Sequence, residues 1–206
     1  SVSHRAHSST QGVASIIPSC SGLLLEEELR ALEQLLEKPE RPVVAVVGGA
    51  KVSTKLLLLE NLIEKVEHIV VGGGMANTFL YAKGFEIGSS IYERNLTATA
   101  LKTLRKAADF NCKVHLPEDF ICAMQLKEGI ETNLYSLEAC PSNEMILDAG
   151  PKTVQTVKMV FEECKTLIWN GPIGAFEIKP FDQSTKSLAK IAAKLTSTGS
   201  LVSIAG

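Results

Sequence analysis

Three glycine-rich stretches hold most of the residues whose types and spacing could do chemistry. The first is Gly48-Gly49-Ala50-Lys51-Val52-Ser53-Thr54-Lys55, which joins an apolar stretch to an amphipathic one. Glycines let backbone N–H groups approach an anion, and the N-terminus of a helix adds partial positive charge. Lys51 and Lys55 are four residues apart, so on a helix they would share one face and could meet the same ligand. A tight turn followed by two solvated lysines is the structural alternative.

The other two stretches repeat this arrangement later in the chain. In Gly72-Gly73-Gly74-Met75-Ala76-Asn77, three successive glycines cost backbone entropy, which favours the close approach of a flat ligand to bare backbone. In Trp169-Asn170-Gly171-Pro172-Ile173-Gly174-Ala175-Phe176-Glu177, Asn170 and Glu177 could hydrogen-bond a base or a ribose. An asparagine turn with a surface glutamate is the alternative there. None of the three matches the P-loop or the dinucleotide-binding fingerprint.

A fourth feature is His4-Arg5-Ala6-His7 near the start of the chain. The guanidinium of Arg5 suits bidentate contact with a phosphate or a carboxylate. His4 and His7 could be metal ligands on a helix, but no Asp, Glu or Cys lies nearby in sequence to complete a site, so no metal-ligating residue is predicted. There is also no G-x-S-x-G pattern of a serine nucleophile.

The elements that must position these residues alternate regularly. Short apolar strands alternate with amphipathic helices of about ten to fifteen residues, which predicts βαβ units on a parallel sheet covered on both faces. In such sheets ligands bind at the carboxyl edge of the strands, where this chain concentrates its glycines. A further helix is predicted over 23–38. Residues 117–147 are expected to be less regular, with short β-like pieces around Phe120–Met124 and Asn133–Leu137. The predicted strands are Val43–Val47, His68–Val71, Lys113–Leu116, Thr166–Trp169 and Leu201–Ala205.

Composition narrows the class of protein. The 206 residues carry 21 Lys and Arg against 23 Asp and Glu, a net charge of −2 that argues against a nucleic-acid-binding protein. No apolar run approaches the roughly 20 residues that a membrane helix needs, so no membrane is expected as a partner. The five cysteines form no C-x-x-C pair and fit reduced thiols in a cytoplasmic protein.

Taken together and in order, six segments resemble phosphoglycerate kinase. The resemblance covers essentially the whole chain, and it implies an ATP-dependent phosphotransferase of glycolysis. The six segments are Ser3-His4-Arg5-Ala6-His7-Ser8-Ser9, Pro39-Glu40-Arg41-Pro42, Gly48-Gly49-Ala50-Lys51-Val52, Val71-Gly72-Gly73-Gly74-Met75-Ala76-Asn77-Thr78-Phe79-Leu80, Leu147-Asp148-Ala149-Gly150-Pro151 and Trp169-Asn170-Gly171-Pro172-Ile173-Gly174-Ala175-Phe176-Glu177.

The family resemblance implies a domain organisation. It places 1–22 at the tail end of the N-terminal, phosphoglycerate-binding domain, 23–40 on a long interdomain helix, and 41–206 in the C-terminal, nucleotide-binding domain. The implied fold class is α/β, a doubly wound, Rossmann-like parallel sheet in three α/β/α layers. Because members of the family are about twice this length, the resemblance implies a truncated chain, expected to be inactive alone and to bind adenine nucleotide weakly.

The resemblance also implies roles for individual residues. Arg5 would grip 3-phosphoglycerate or 1,3-bisphosphoglycerate, while Lys55, with Lys51 beside it, would bind the nucleotide phosphates and the transferring phosphoryl group. The implied cofactors are ATP or ADP and Mg²⁺, and the implied parent protein is a cytoplasmic monomer. Further nucleotide-binding positions would be Gly49 in the first loop, Gly72, Gly73, Gly74 and Gly150 along the adenine slot, Asn170 at the phosphates, Glu177 at the ribose, and Gly206 as the first glycine of the family's Gly-Gly-Gly-Asp-Thr motif.

Two alternatives remain open from the residues alone. The glycines at the sheet edge suit the pyrophosphate of a dinucleotide as well as a triphosphate, so a dinucleotide-binding oxidoreductase domain is one alternative. A non-catalytic nucleotide-binding module is the other. Titration with NADH against Mg-ADP would separate the first alternative from a kinase.

Overall fold

A computed structural model describes residues 6–27, 29–30 and 39–205. Arg5 and Gly206 lie outside these ranges. The chain divides into two compact units, Ser1–Pro39 and Glu40–Gly206. In the first unit, Ser8–Gly12 forms a short π-helical turn, and residues 23–27 and 29–30 are helical. The rest of the helix predicted over 23–38 lies outside the described residues.

A five-stranded parallel sheet lies at the centre of the second unit. Its strands are β1 (Val43–Gly48), β2 (His68–Gly72), β3 (Lys113–His115), β7 (Thr166–Asn170) and β8 (Val202–Ala205). Their order in the sheet is β3-β2-β1-β7-β8, so the chain runs outward from β1 on one side and continues through β7 and β8 on the other. The helices are α1 (Leu56–Ile63), α2 (Gly74–Ala82), α3 (Thr97–Asp109), α4 (Pro151–Glu163) and α5 (Gln183–Ser197).

Strand β1 shows why the sheet is covered on both faces. Side chains alternate along a strand, so Val43 and Val47 pack with α1, α2 and α3, whereas Val44 and Val46 pack with α4 and α5. All six residues of β1 are buried. The predicted three-layer, doubly wound arrangement is therefore confirmed, and each layer of helices has its own apolar core.

A second, antiparallel sheet was not predicted as such. It consists of β4 (Asp119–Ala123), β5 (Asn133–Ser136) and β6 (Met145–Ala149), in the order β5-β4-β6. Strands β4 and β5 fall on stretches that looked β-like in sequence, but β6 did not. The first three residues of β6 are only half-buried, so the strand lacks the continuous apolar pattern of β1.

All five cysteines are free thiols, and four of them are buried. Within the described part of the chain, no helix is both long and apolar enough to cross a lipid bilayer.

A histidine pair, with His68 buried and His115 half-buried, joins β2 to β3. His68 Nδ1 lies 3.0 Å from His115 Nε2, and the two rings stack with their centroids 5.2 Å apart. Burial, and next the neighbouring His68 and Lys113, lower the pKa of His115 to about 4. Burial and Lys113 also lower the pKa of His68. The folded protein therefore binds fewer protons than the unfolded chain between about pH 4 and 6.5.

This pair predicts a loss of stability in acid. Because the unfolded chain binds more protons in that window, the free energy of unfolding should fall as the pH drops from 6.5 towards 4. We expect His115→Gln to reduce the difference in stability between pH 7 and pH 4.5 by about 1–2 kcal/mol, after allowance for solvent screening. Urea denaturation of both proteins at the two pH values measures this. The control is His7→Gln, at an exposed position in the first unit; an identical pH dependence in His115→Gln and the parent would contradict the prediction.

Candidate functional site

A cleft of about 340 Å³ opens at the carboxyl edge of the large sheet. The loops that follow β1, β2 and β7 form its floor, and the outward order of the strands reverses between β1 and β7. Ligands of open α/β sheets bind at such a reversal, because the two loops diverge there and leave a crevice. The three glycine-rich stretches therefore meet at one edge, as the sequence predicted.

The walls of the cleft are largely apolar. Strand β6 forms one wall, which is why its first three residues are only half-buried. A flat ring system fits between such walls, and a few polar groups at the rim would orient it. The apolar side chains that line the cleft include Ile91, Leu126, Met145, Leu147, Phe176 and Ile178.

Glycines of the floor such as Gly48 and Gly73 allow the loops to pack closely on one another, because a side chain at either position would clash with the neighbouring loop. A Cβ atom on Gly48 would lie 1.8 Å from the carbonyl oxygen of Pro172, and one on Gly73 would lie 2.6 Å from that of Gly49. Gly49, Gly73 and Gly74 line the cleft. Gly72 does not, since the space of its missing side chain is taken by Ile173, 2.8 Å from where a Cβ would stand. The missing side chain of Gly72 therefore makes room for Ile173 and not for a ligand.

The structure brings Lys55 and Asn170 together across the crevice. Lys55 Nζ donates a hydrogen bond to Asn170 Oδ1, which links the start of α1 to the end of β7. Both residues are half-buried, while Lys51 is exposed. None of the three lies on the wall of the cleft. They stand beside it, so a ligand that filled the cleft would have to extend beyond it to reach them.

The predicted helical pairing of Lys51 with Lys55 is wrong. A 3₁₀ turn, Val52–Thr54, follows Lys51, and α1 begins only at Leu56. Lys51 has extended backbone (φ −134°, ψ 132°), so the two lysines share no helical face. The run of Val, Ser and Thr is unfavourable in a helix because β-branching and hydroxyl–backbone bonds compete with it.

The N–H groups of this turn are already occupied by a carboxylate. Ser53 N donates to Glu93 Oε2 at 2.9 Å, and Ser53 Oγ donates to Glu93 Oε1 at 2.6 Å. Burial alone would raise the pKa of Glu93, but the hydrogen bonds from Ser53 and Val52 and the charge of Lys51 outweigh it and hold the pKa below its usual range. The N–H groups of Val52 and Ser53 are therefore directed to Glu93, and the cationic groups of this loop are Lys51 and Lys55.

The sequence model of the phosphoglycerate kinase family matches residues 1–206, the whole chain. The chain belongs to the phosphoglycerate kinase family. It is 57% identical over 206 residues to the phosphoglycerate kinase of Jannaschia sp. and 56% identical to that of Cereibacter sphaeroides. In both cases the match covers all of this chain and 52% of the relative. The chain thus spans about half the length of these curated relatives.

Solved phosphoglycerate kinase structures agree with this assignment. The enzyme from Coxiella burnetii superimposes with a TM-score of 0.90 at 46% identity, over 99% of this chain and 52% of that one. The enzyme from Pyrococcus horikoshii superimposes with a TM-score of 0.78 at 26% identity, over 92% of this chain and 48% of that one.

Two of the positions suggested by resemblance to phosphoglycerate kinase differ in their surroundings. Glu177 is exposed on the rim of the cleft. Gly150 does not line the cleft, contrary to the sequence-based expectation. A Cβ there would lie 2.3 Å from Asp119 Cγ, so the glycine makes room for the carboxylate that accepts hydrogen bonds from Lys152 N and Thr153 N at the start of α4.

Asp148 lines the cleft next to Gly174, although the sequence did not single it out as a site residue. Its carboxylate accepts hydrogen bonds from Ser184 N at 3.0 Å, from Ser184 Oγ and from Ala149 N at 2.9 Å, and it thereby ties β6 to the start of α5. Burial raises the pKa of Asp148 to about 6, although these hydrogen bonds oppose the change. The motif Leu147-Asp148-Ala149-Gly150-Pro151 pointed to this region, but no local signal showed which member faces the cleft.

Proposed function

We propose that this chain supplies the nucleotide-binding part of a phosphoglycerate kinase, which transfers a phosphoryl group between ATP and the carboxylate of 3-phosphoglycerate and so interconverts them with ADP and 1,3-bisphosphoglycerate. The observation that carries the proposal is the apolar cleft at the strand reversal, with Lys51 and Lys55 in the loop that forms part of its floor. Within the family, the division of the chain at Pro39 and Glu40 supports a nucleotide domain over 41–206.

The cleft suits an adenosine group. The wall formed by β6 and the floor formed by Gly73 and Gly74 would enclose the two faces of the purine. Glu177 at the rim would accept hydrogen bonds from the ribose hydroxyls, because an ionised carboxylate is an acceptor only. The phosphates would then extend past the cleft towards Asn170 and the lysines.

Lys55 is the residue best placed to follow the transferring group. Phosphoryl transfer depends on positioning and on charge neutralisation more than on covalent chemistry by the protein. The ammonium group of Lys55 is held by one oxygen of Asn170, so its remaining N–H groups can donate to phosphate oxygens. The acceptor carboxylate is already ionised, and no general base is required to activate it.

Magnesium is implied by the family as a companion of the nucleotide, where it neutralises phosphate charge. Among residues 6–27, 29–30 and 39–205, no group of three or more His, Cys, Asp or Glu side chains could hold a metal ion. Because Mg²⁺ is usually held by substrate phosphates together with one or two carboxylates, a nucleotide-bound magnesium ion needs no such group, and the roles proposed for the lysines do not depend on one.

In this proposal the acceptor side of the reaction belongs to the N-terminal, phosphoglycerate-binding domain. Residues 1–22 would be the end of the phosphoglycerate-binding domain and 23–40 the helix that connects the two domains. Because the substrates would sit on different domains, domain closure would bring them together in a cytoplasmic, monomeric enzyme.

Arg5 provides a test of this assignment. In a full-length phosphoglycerate kinase that carries this sequence, we expect Arg5→Ala to raise KM for 3-phosphoglycerate about tenfold or more, because a charge-assisted contact to an anion is lost. KM for ATP should change little. Steady-state kinetics with each substrate varied in turn measures both, and an equal loss for the two substrates would instead indicate a role in domain closure.

A cleft-filling variant tests the nucleotide site itself. We expect the protein to bind Mg-ADP in preference to NADH, and Leu147→Trp to weaken ADP binding at least tenfold by occupying the space of the base. The matched control is Leu134→Trp on the exposed face of β5, which should bind ADP like the parent. Calorimetric titration of the chain and of the full-length protein measures this; tighter binding of NADH, or normal ADP binding by Leu147→Trp, would overturn the proposal.

A further inference from the structure

A short segment, Ile91–Glu93, contacts both of the first two glycine-rich loops, with Ile91 next to Gly74 and Glu93 bonded to Ser53. Its backbone is fixed to α2, since Asn77 Nδ2 donates to Ile91 O at 3.1 Å and Glu93 N donates to Thr78 Oγ1 at 3.0 Å. Asn77 and Thr78 are both buried. At one end of the segment, Ile91 lies on the wall of the cleft. At the other end, the side chain of Glu93 leaves the segment towards the loop that follows β1.

The carboxylate of Glu93 holds that loop at its centre. We call Lys51–Lys55 the lysine turn. Both oxygens of Glu93 accept hydrogen bonds from Ser53, one from its backbone N–H and one from its hydroxyl. Inside the turn, Thr54 Oγ1 donates to Lys51 O at 2.8 Å, and Lys55 N donates to Val52 O at 2.9 Å. The position of Ser53 therefore determines where both lysine side chains begin.

We propose that Glu93 is a positioning residue for phosphoryl transfer, which anchors the lysine turn to the wall of the cleft and so holds Lys51 and Lys55 in place beside the nucleotide phosphates. This inference rests on the proposed function. It goes beyond that function because Glu93 touches neither substrate and acts only through its hydrogen bonds with Ser53.

The proposal predicts a particular kinetic signature. Flexible lysine side chains can reach ground-state phosphates from several positions of the turn, but only a fixed ammonium position stabilises the transition state well. Loss of Glu93 also removes a negative charge near Lys51, which does not weaken the attraction of phosphates. We therefore expect kcat to fall about tenfold in Glu93→Ala, while KM for ATP stays within about threefold. Glu93→Gln, which keeps one acceptor oxygen, should lie between the parent and Glu93→Ala.

The experiment compares these variants in a full-length phosphoglycerate kinase that carries this sequence. The control is Glu64→Gln, which removes a carboxylate from an ion pair with Lys106 (2.6 Å) away from the lysine turn and should leave kcat unchanged. A second measurement uses the 206-residue chain itself. Amide hydrogen exchange at Ser53 should be faster in Glu93→Ala than in the parent, whatever the ligand.

The outcomes separate the two claims. If the parent shows no turnover with ATP and 3-phosphoglycerate, the proposed function fails and this inference fails with it. If the parent is active and Glu93→Ala has the same kcat, only the inference fails. Unchanged exchange at Ser53 would likewise overturn it, as would equal losses in kcat and in ATP affinity, which indicate general disruption of the domain.

Discussion

Replacing Lys55 by alanine is expected to lower kcat by roughly 10²–10³-fold, about 3–4 kcal/mol, which is the usual effect of removing one donor that stabilises developing charge. The measurement requires a full-length phosphoglycerate kinase that carries this sequence. Lys55 lies immediately before α1, is half-buried, and has its ammonium group held against Asn170 at the strand reversal. A group fixed in this way can follow the charge of the transferring phosphoryl group, whereas ATP binding keeps its apolar contacts in the cleft. The effect on KM for ATP should therefore be smaller than the effect on kcat.

The control for this variant is Lys102→Ala, at an exposed position on α3. It removes the same charge and side chain without touching the crevice, so kcat should remain that of the parent. A kcat for Lys55→Ala within tenfold of the parent would show that Lys55 does not carry the proposed role. Asn170→Ala should produce a milder loss, because it frees the ammonium group without removing it.

Replacing Gly48 by alanine is expected to destabilise the second unit by about 3 kcal/mol or more, at the upper end of the effects of overpacking. The added Cβ would lie 1.8 Å from Pro172 O, 2.7 Å from Pro172 C and 2.9 Å from Gly171 C. All three are backbone atoms, so no change of rotamer relieves the clash. Since β1 and β7 are neighbours in register, the loop after β7 must move away and the crevice must open.

Urea denaturation measures this effect, with Gly22→Ala as the control. Gly22 has no atom within 4 Å of its Cβ position and has an ordinary φ, so alanine there should change the free energy of unfolding by less than about 0.5 kcal/mol. A loss of less than about 1 kcal/mol in Gly48→Ala would mean that the loops can separate easily, and the cleft would then not be preformed. A matching loss of ADP binding is expected in Gly48→Ala alone.

The sequence by itself determined the architecture of the large sheet and the edge at which the site lies. Buried β-branched strands such as Val43–Gly48, alternating with helices, leave one arrangement that buries both faces of every strand: a parallel sheet between two layers of helices. Its glycine-rich loops then had to meet at the carboxyl edge. These conclusions depend on patterns within about 15 residues of chain, which local sequence records directly.

Only the tertiary structure decided which groups contact one another at that edge. Glu93 and Ser53 are 40 residues apart, and Asp148 and Ser184 are 36 apart, so neither pair leaves a local pattern. Gly150 could not be assigned from its motif, because its neighbour is the carboxylate of Asp119 on another strand. Where the sequence predicted a helix from Lys51, the structure has a 3₁₀ turn that Glu93 stabilises. Periodicity specifies which face of an element is buried, but long-range side-chain contacts exist only after packing has placed those faces together, and they decide the geometry of the site.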